Sequence, residues 1–325
     1  MPVKHLDITI LAKVVDNFGD IGVTWRLARN LNYCAKRNSE NYSLNIRLIT
    51  DNLVSFNKIN SKINPLLPFQ ECEEIKIYDW GNYEFCYNSF TKNTPDLILE
   101  CFQCGNPDWL EKILFEDRVE DHPVNIIMID YLSAEPWVSD FHCLKSLTRT
   151  ASVPKVNFMP GFAKKTGGLL INEQWTMNNG QYKNGIIKNL NQRSNEKTNC
   201  QLSIVNCQFK QVLFFAYPQD WSPVIRAMNR VFVKDTCVKV AAGAGQESIL
   251  KSCCENNSVF TPEKLSFMDQ EDWDKMMHDM DFMIIRGEDS MAQACLTGTP
   301  FIWQAYPQKD EYQLVKVNAL LNRMR

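Results

Sequence analysis

The chain has 325 residues, 45% of them hydrophobic and 22% charged, and its 35 Lys+Arg against 38 Asp+Glu give a net charge of -3. That composition can fill a sizeable core, the length favours two domains of about 150 residues each, and the charge balance offers no positive field to draw in nucleic acid. No run of about 18 apolar residues occurs, and Lys13 interrupts the start MPVKHLDITILAKVVDNFGD, so neither a membrane span nor a secretory signal is expected and the protein reads as cytoplasmic.

Asp7 to Val15 (DITILAKVV) is a β-rich apolar run that ends in Asp16-Asn17-Phe18-Gly19-Asp20-Ile21-Gly22, and helical periodicity follows from Val23 to Ala35. Further strands are expected at Leu44 to Ile49, Ile75 to Tyr78, Leu97 to Leu99 and Val124 to Ile129, spaced as βαβ units of a parallel sheet. From Thr176 to Asn199 the composition turns to Asn, Lys, Gln and Gly, with little to bury. A linker is expected there, dividing the chain into an N-terminal domain (1–180), a linker (181–200) and a C-terminal domain (201–325). The second half repeats the alternation: strands at Gln211 to Tyr217, Val238 to Ala242, Phe282 to Ile285 and Pro300 to Ala305, with helices at Trp221 to Phe232, Asp269 to Met280 and Ser290 to Leu296. Two open α/β halves imply a cleft between domains, with ligands beyond the carboxyl ends of the strands.

Two strand-to-helix loops carry groups suited to chemistry. Asp16 and Asp20 flank the first, where active groups of α/β folds gather, although Asp20 could simply cap the helix and Asp16 steady the turn. Arg286-Gly287-Glu288-Asp289-Ser290 is the second. With Ser290 as N-cap, its amides, hydroxyl and Arg286 would suit a diphosphate, and a capped helix with an internal Arg-Glu pair is the alternative. Phe215, Tyr217, Trp273, Trp303 and Tyr306 stand at or near strand ends and could stack on a base, though each is singly as ordinary in a core. The twelve cysteines are scattered, and the pair Cys101 and Cys104 lacks the partners of a tetrahedral zinc site. The four His residues have no metal spacing, and GxGxxG, Walker A and G-x-S-x-G patterns are absent from the sequence.

At these loops the sequence resembles the EarP family of protein-arginine rhamnosyltransferases. The resemblance rests on VVDNFGDIGVTWRLARNL (Val14 to Leu31), YLSAEPWVSDFHCL (Tyr131 to Leu144), MPGFAKKTGGLL (Met159 to Leu170), FAYP (Phe215 to Pro218) and RGEDSMAQACLTGTPFIWQAYPQ (Arg286 to Gln308). It implies a GT-B fold, two Rossmann-like domains facing across a cleft. The implied enzyme is inverting and metal-independent, takes dTDP-β-L-rhamnose as donor without a cofactor, and has an arginine of elongation factor P as acceptor. The family's essential acidic residues fall on Asp16, Asp20 and Glu288. Its nucleotide contacts fall on Phe215, Tyr217, Gln270, Arg286, Asp289 and Ser290, with a base-stacking aromatic at Trp273, where relatives carry Phe. Family members continue past Leu320-Leu321-Asn322-Arg323-Met324-Arg325 through a further helix, which implies a shortened C-terminal end here.

An arginine acceptor sets a chemical demand, because a guanidinium has a pKa of about 12.5 or higher and is a poor nucleophile until a proton is removed. Asp20 is the candidate base and orienter, Asp16 would shape the acceptor site, and Glu288 would hold the sugar or the acceptor. The rival readings are a transferase for another nucleotide sugar or acceptor, and an inactive module that only binds elongation factor P.

Overall fold

The computed structural model describes residues 3–15, 18–117, 123–171 and 209–324. The chain divides into two compact units, Met1–Asn172 with Asp310–Arg325, and Glu173–Lys309.

The first unit is built on β1 (Lys4–Ala12), β2 (Tyr42–Thr50), β3 (Phe69–Cys72), β4 (Ile75–Asp79), β5 (Leu97–Cys101), β6 (Asn125–Ile129), β7 (Lys145–Ser146) and β8 (Lys155–Phe158). They form an eight-stranded sheet in the order β3-β4-β2-β1-β5-β6-β8-β7. Its inner pairs are parallel, while β3 and β7 add antiparallel edges. Successive side chains of a strand point to opposite faces, and a central parallel strand must be apolar on both. Accordingly Ile8, Ile10 and Ala12 of β1 pack with Ile21, Trp25 and Ala28 of α1 (Gly19–Arg37) and with Phe56 of α2 (Leu53–Ile59). Leu11 turns to the other face, to Cys86 and Phe90 of α3 (Tyr83–Lys92) and Trp109 and Leu110 of α4 (Asp108–Lys112). A π-helical turn, Ile113–Asp117, prolongs α4, and the short α5 (Val138–Phe141) follows β6.

In the second unit β9 (Gln211–Phe214), β10 (Cys237–Val240), β11 (Thr261–Lys264), β12 (Phe282–Arg286) and β13 (Phe301–Gln304) form a wholly parallel sheet ordered β11-β10-β9-β12-β13. The connecting helices are α6 (Ser222–Met228), α7 (Gln246–Glu255), α8 (Gln270–His278) and α9 (Glu288–Thr297). Val212 and Phe214 of β9 meet Ile225 of α6 and Ile249 and Cys253 of α7 in one core. The strand order 3-2-1-4-5, counted along the chain, is that of a Rossmann-like fold.

The C-terminal helix α10 (Gln313–Met324) departs from the expected domain division. Its segment belongs to the first unit, because the Tyr312 hydroxyl donates to Glu135 Oε1 at 2.8 Å and Arg323 Nε to the Ala134 carbonyl at 3.3 Å. Polarity along the chain cannot reveal such a return. The stretch read as a linker, 181–200, lies outside the described residues.

Burial pushes the thiol of Cys86 up to about 12, that of Cys104 to about 12 and that of Cys253 to about 11, whereas Cys143 and Cys254 are exposed. A thiol alkylates as thiolate, so at pH 8 iodoacetamide is expected to label Cys143 and Cys254 in the native protein and to spare Cys86, Cys104 and Cys253. Peptide mapping by mass spectrometry checks this, and prompt labelling of Cys104 would contradict its packing.

Candidate functional site

A doubly wound sheet opens a crevice where neighbouring strands send their connections in opposite directions. In the first unit that point lies between β1 and β5, and in the second between β9 and β12. Those of the residues singled out from the sequence that are described gather at these two places, each within its own unit.

In the first unit α1 begins at Gly19 with Phe18 as its N-cap, so Asp20 stands inside the first helical turn and not ahead of the helix as expected. The reason is local. Asp20 Oδ2 accepts the Val15 amide at 2.7 Å, and an acidic residue in a first turn also suits the helix dipole. Asp20 is 1% exposed, and its Oδ1 accepts the Tyr131 hydroxyl at 3.0 Å. The Tyr131 ring stacks on Phe102, with centroids 4.3 Å apart and planes at 15°. Asp16 lies outside the described residues.

Phe102 reaches that position through an uncommon backbone. Its φ is 59° and that of Gln103 is 56°, the left-handed region that bulky residues avoid. The turn is fixed from several sides: the Phe102 amide donates to the Ile129 carbonyl at 2.7 Å, Gln103 Nε2 to Asp130 Oδ2 at 3.1 Å, and the Gly105 amide to Glu100 Oε1 at 3.2 Å. Glu100 is itself buried and paired with Lys155 Nζ at 2.5 Å. Cys101 and Cys104 belong to this turn as thiols, and Cys104 Sγ donates to the Leu11 carbonyl at 3.6 Å. Among the described residues no group of three or more His, Cys, Asp or Glu converges as a metal site.

In the second unit Arg286 ends β12 and is 9% exposed. Its guanidinium lies 4.6 Å from the centroid of the Phe215 ring and 4.5 Å from that of Tyr217, both just beyond β9. The rings are held in turn. Phe215 meets Trp273 edge-on at 5.1 Å, and Tyr217 meets Tyr306 at 5.2 Å, while the Tyr217 amide donates to Gln304 Oε1 at 2.7 Å. Trp273 lies one turn along α8 from Gln270, which is buried and opens that helix. Among the described residues Arg286 has no ion pair, so its internal pairing with a glutamate is not what is found.

The helix after Arg286 starts earlier than the sequence suggests. Gly287 is the N-cap of α9, with φ 72° and ψ 164°, Glu288 and Asp289 fill the first turn, and Ser290 is a buried helical residue and not the cap. Only glycine occupies that region readily, so the chain turns there and the helix begins at once. Trp303 Nε1 donates to the Gly287 carbonyl at 3.0 Å, tying the turn to β13. A second glycine, in the loop Ala241-Ala242-Gly243-Ala244-Gly245, was not singled out from the sequence. A Cβ on Gly245 would stand 2.0 Å from the Ala216 carbonyl, so this loop can lie against the 215–217 segment only without a side chain. The other residues missed are Tyr131, Phe102 and Glu100, the first of them inside a motif that had been noticed for its resemblance alone.

Two Rossmann-like units, each with its charged groups at the switch point, are the components of a GT-B glycosyltransferase. The family model described as Elongation-Factor P (EF-P) rhamnosyltransferase EarP matches residues 8–325. The chain is 28% identical to the protein-arginine rhamnosyltransferase of Shewanella oneidensis, over 98% of this chain and 80% of that protein. It is 26% identical to that of Pseudomonas aeruginosa, over 96% and 80%. Similar solved structures include one of EarP-mediated arginine glycosylation of translation elongation factor EF-P, 18% identical with a TM-score of 0.48 over 98% of this chain and 76% of that one. Another is the E. coli heptosyltransferase WaaC with ADP, 11% identical with a TM-score of 0.42 over 98% and 100%. The chain belongs to the EarP family, and with it to the protein-arginine rhamnosyltransferases.

The Gly287 turn yields a direct test. A Cβ there would meet only the Tyr217 hydroxyl, at an ordinary 3.8 Å, so Gly287→Ala is penalised by its backbone and not by crowding. The substitution is expected to destabilise the protein by about 1–3 kcal/mol. Chemical denaturation checks it, and an unchanged midpoint would show that the turn relaxes without cost.

Proposed function

We propose that this protein transfers L-rhamnose from dTDP-β-L-rhamnose to an arginine of elongation factor P, with inversion at the sugar and without a metal. The observation that carries the donor assignment is Arg286: a buried cation braced by two ring faces, at the start of a helix, with no carboxylate paired to it among the described residues. An unpaired buried charge is costly, and a diphosphate would offset it through charge-assisted hydrogen bonds. The amides at the start of α9 and the Ser290 hydroxyl would share that anion. Trp273 and Phe215 would present aromatic surface to the base, Gln270 and Asp289 polar groups to the nucleoside, and Glu288 a carboxylate to the sugar or the acceptor.

The reaction is a single displacement. A guanidinium nitrogen attacks the anomeric carbon from the face opposite the diphosphate, the carbon–oxygen bond to the diphosphate breaks, and a proton leaves the nitrogen. Asp20, with both oxygens anchored, would orient the planar guanidinium and receive that proton, with Asp16 beside it in sequence as a second acidic group. Charge developing on the departing diphosphate would be met by Arg286 and the helix amides.

Intact-mass analysis of elongation factor P after incubation with the protein, dTDP-β-L-rhamnose and excess EDTA tests the reading. A gain of one deoxyhexosyl residue on a single arginine is expected, and Asp20→Asn should lower the rate by about 10²-fold or more. Transfer that needs added Mg²⁺ or Mn²⁺ would overturn the metal-free account, and near-normal turnover by Asp20→Asn would remove that residue from the chemistry. Replacing Trp273 by Ala should weaken dTDP binding by about 1–3 kcal/mol, as base stacking does elsewhere. Calorimetric titration measures it, and unchanged affinity would make Trp273 a packing residue only.

A further inference from the structure

From the contacts of the first unit we infer that Tyr131 is a positioning residue for the Asp20 carboxylate, acting with Phe102 as its platform. The inference rests on the proposed role of Asp20 and goes beyond it. An aspartate carboxylate, carried on a single methylene, still rotates about its Cβ–Cγ bond, and a base that must meet a planar guanidinium has to be fixed in plane as well as in place. Asp20 is held at both oxygens from different directions: the Val15 amide reaches Oδ2 at 2.7 Å from its own loop, and the Tyr131 phenol reaches Oδ1 at 3.0 Å from beyond β6. Two donors on opposite oxygens define the plane.

The phenol is itself kept in place by more than its hydrogen bond. Its ring lies nearly parallel on Phe102 at 4.3 Å, and Phe102 is held in the left-handed backbone region by the amide bond to Ile129 and by the Glu100–Gly105 contact at the end of the same turn. Strained conformations of bulky residues persist where the surroundings over-determine them, and they concentrate at functional sites. Here the strained residue lies beside the switch point of the sheet, and what it supports is the donor to Asp20. Glu100 and Lys155 would then matter to the chemistry only through this turn.

Tyr131→Phe separates the hydrogen bond from the stack, since it keeps the ring and removes the hydroxyl. The expected result is a fall in kcat of about 10–100-fold, with the KM for the nucleotide sugar within about twofold of the parent and thermal unfolding nearly unchanged. A residue that acts through Asp20 must lose its effect when Asp20 is already impaired. In the Asp20→Asn background, read by single turnover with enzyme in excess, adding Tyr131→Phe should therefore cost little. Asp20→Glu serves as background where Asp20→Asn is too slow to compare. Normal kcat in Tyr131→Phe alongside an impaired Asp20→Asn would overturn the inference and leave the proposed function intact. The same fold-loss in both backgrounds would also overturn it, assigning Tyr131 a role of its own. A fully active Asp20→Asn would instead sink the Asp20 reading from which the inference starts.

Discussion

A charge withdrawn from water must be compensated, and this requirement organises the second unit. Arg286 ends a central strand in the interior, where its guanidinium is flanked by Phe215 and Tyr217 at 4.6 and 4.5 Å. Ring faces attract a cation, yet they supply only part of what water gave. Each neighbouring feature can be traced to keeping that arrangement: Gln304 holds the Tyr217 amide, Trp303 holds the Gly287 carbonyl, and Gly245 lets its loop lie against Ala216. A positive group held this firmly at a helix start is preorganised for an anion, so little rearrangement would be needed when negative charge appears.

The first unit meets the opposite demand with the same topology. Asp20 is buried at the head of α1, where the Val15 amide and the Tyr131 hydroxyl each donate to one of its carboxylate oxygens. Parallel sheets place strand ends, loops and helix starts at one edge, which is why both units carry their charged groups there. The cores beneath are ordinary: apolar residues alternate between the faces of β1, and β9 packs on α6 and α7. The special chemistry is confined to one end of each sheet.

Much of the fold was legible because a parallel sheet writes its strands as short apolar runs between helix-length segments. Element ends were less so. The β1 run reads on through Val14 and Val15, but the ladder stops at Ala12, where the Val14 amide turns to Asp51 Oδ1 and Val15 comes out 80% exposed. Strand β11 (TPEK) has a single half-buried residue and offers no apolar pattern to read. Position 290 resembles an N-cap by composition, yet a glycine able to take φ 72° moves the helix start ahead of it. The residues proposed for the donor side rest on motif resemblance, since single aromatics at strand ends carry no pattern of their own. Tyr131 escaped because its partner lies 111 positions away, a separation that no local rule bridges.

The distribution of charge also bears on how a diphosphate would leave. A divalent cation needs several oxygen ligands converging on it. In the second unit the nearest carboxylates in sequence, Glu288 and Asp289, occupy the first turn of α9, directly after a buried guanidinium and at the positive end of a helix. A metal ion drawn to them would sit beside two sources of like sign. A diphosphate meets both sources favourably without an ion between. On the proposed function, the leaving group would be stabilised by charge built into the fold, and the Gly287 turn, which sets Arg286 against α9, would be the feature on which that stabilisation depends.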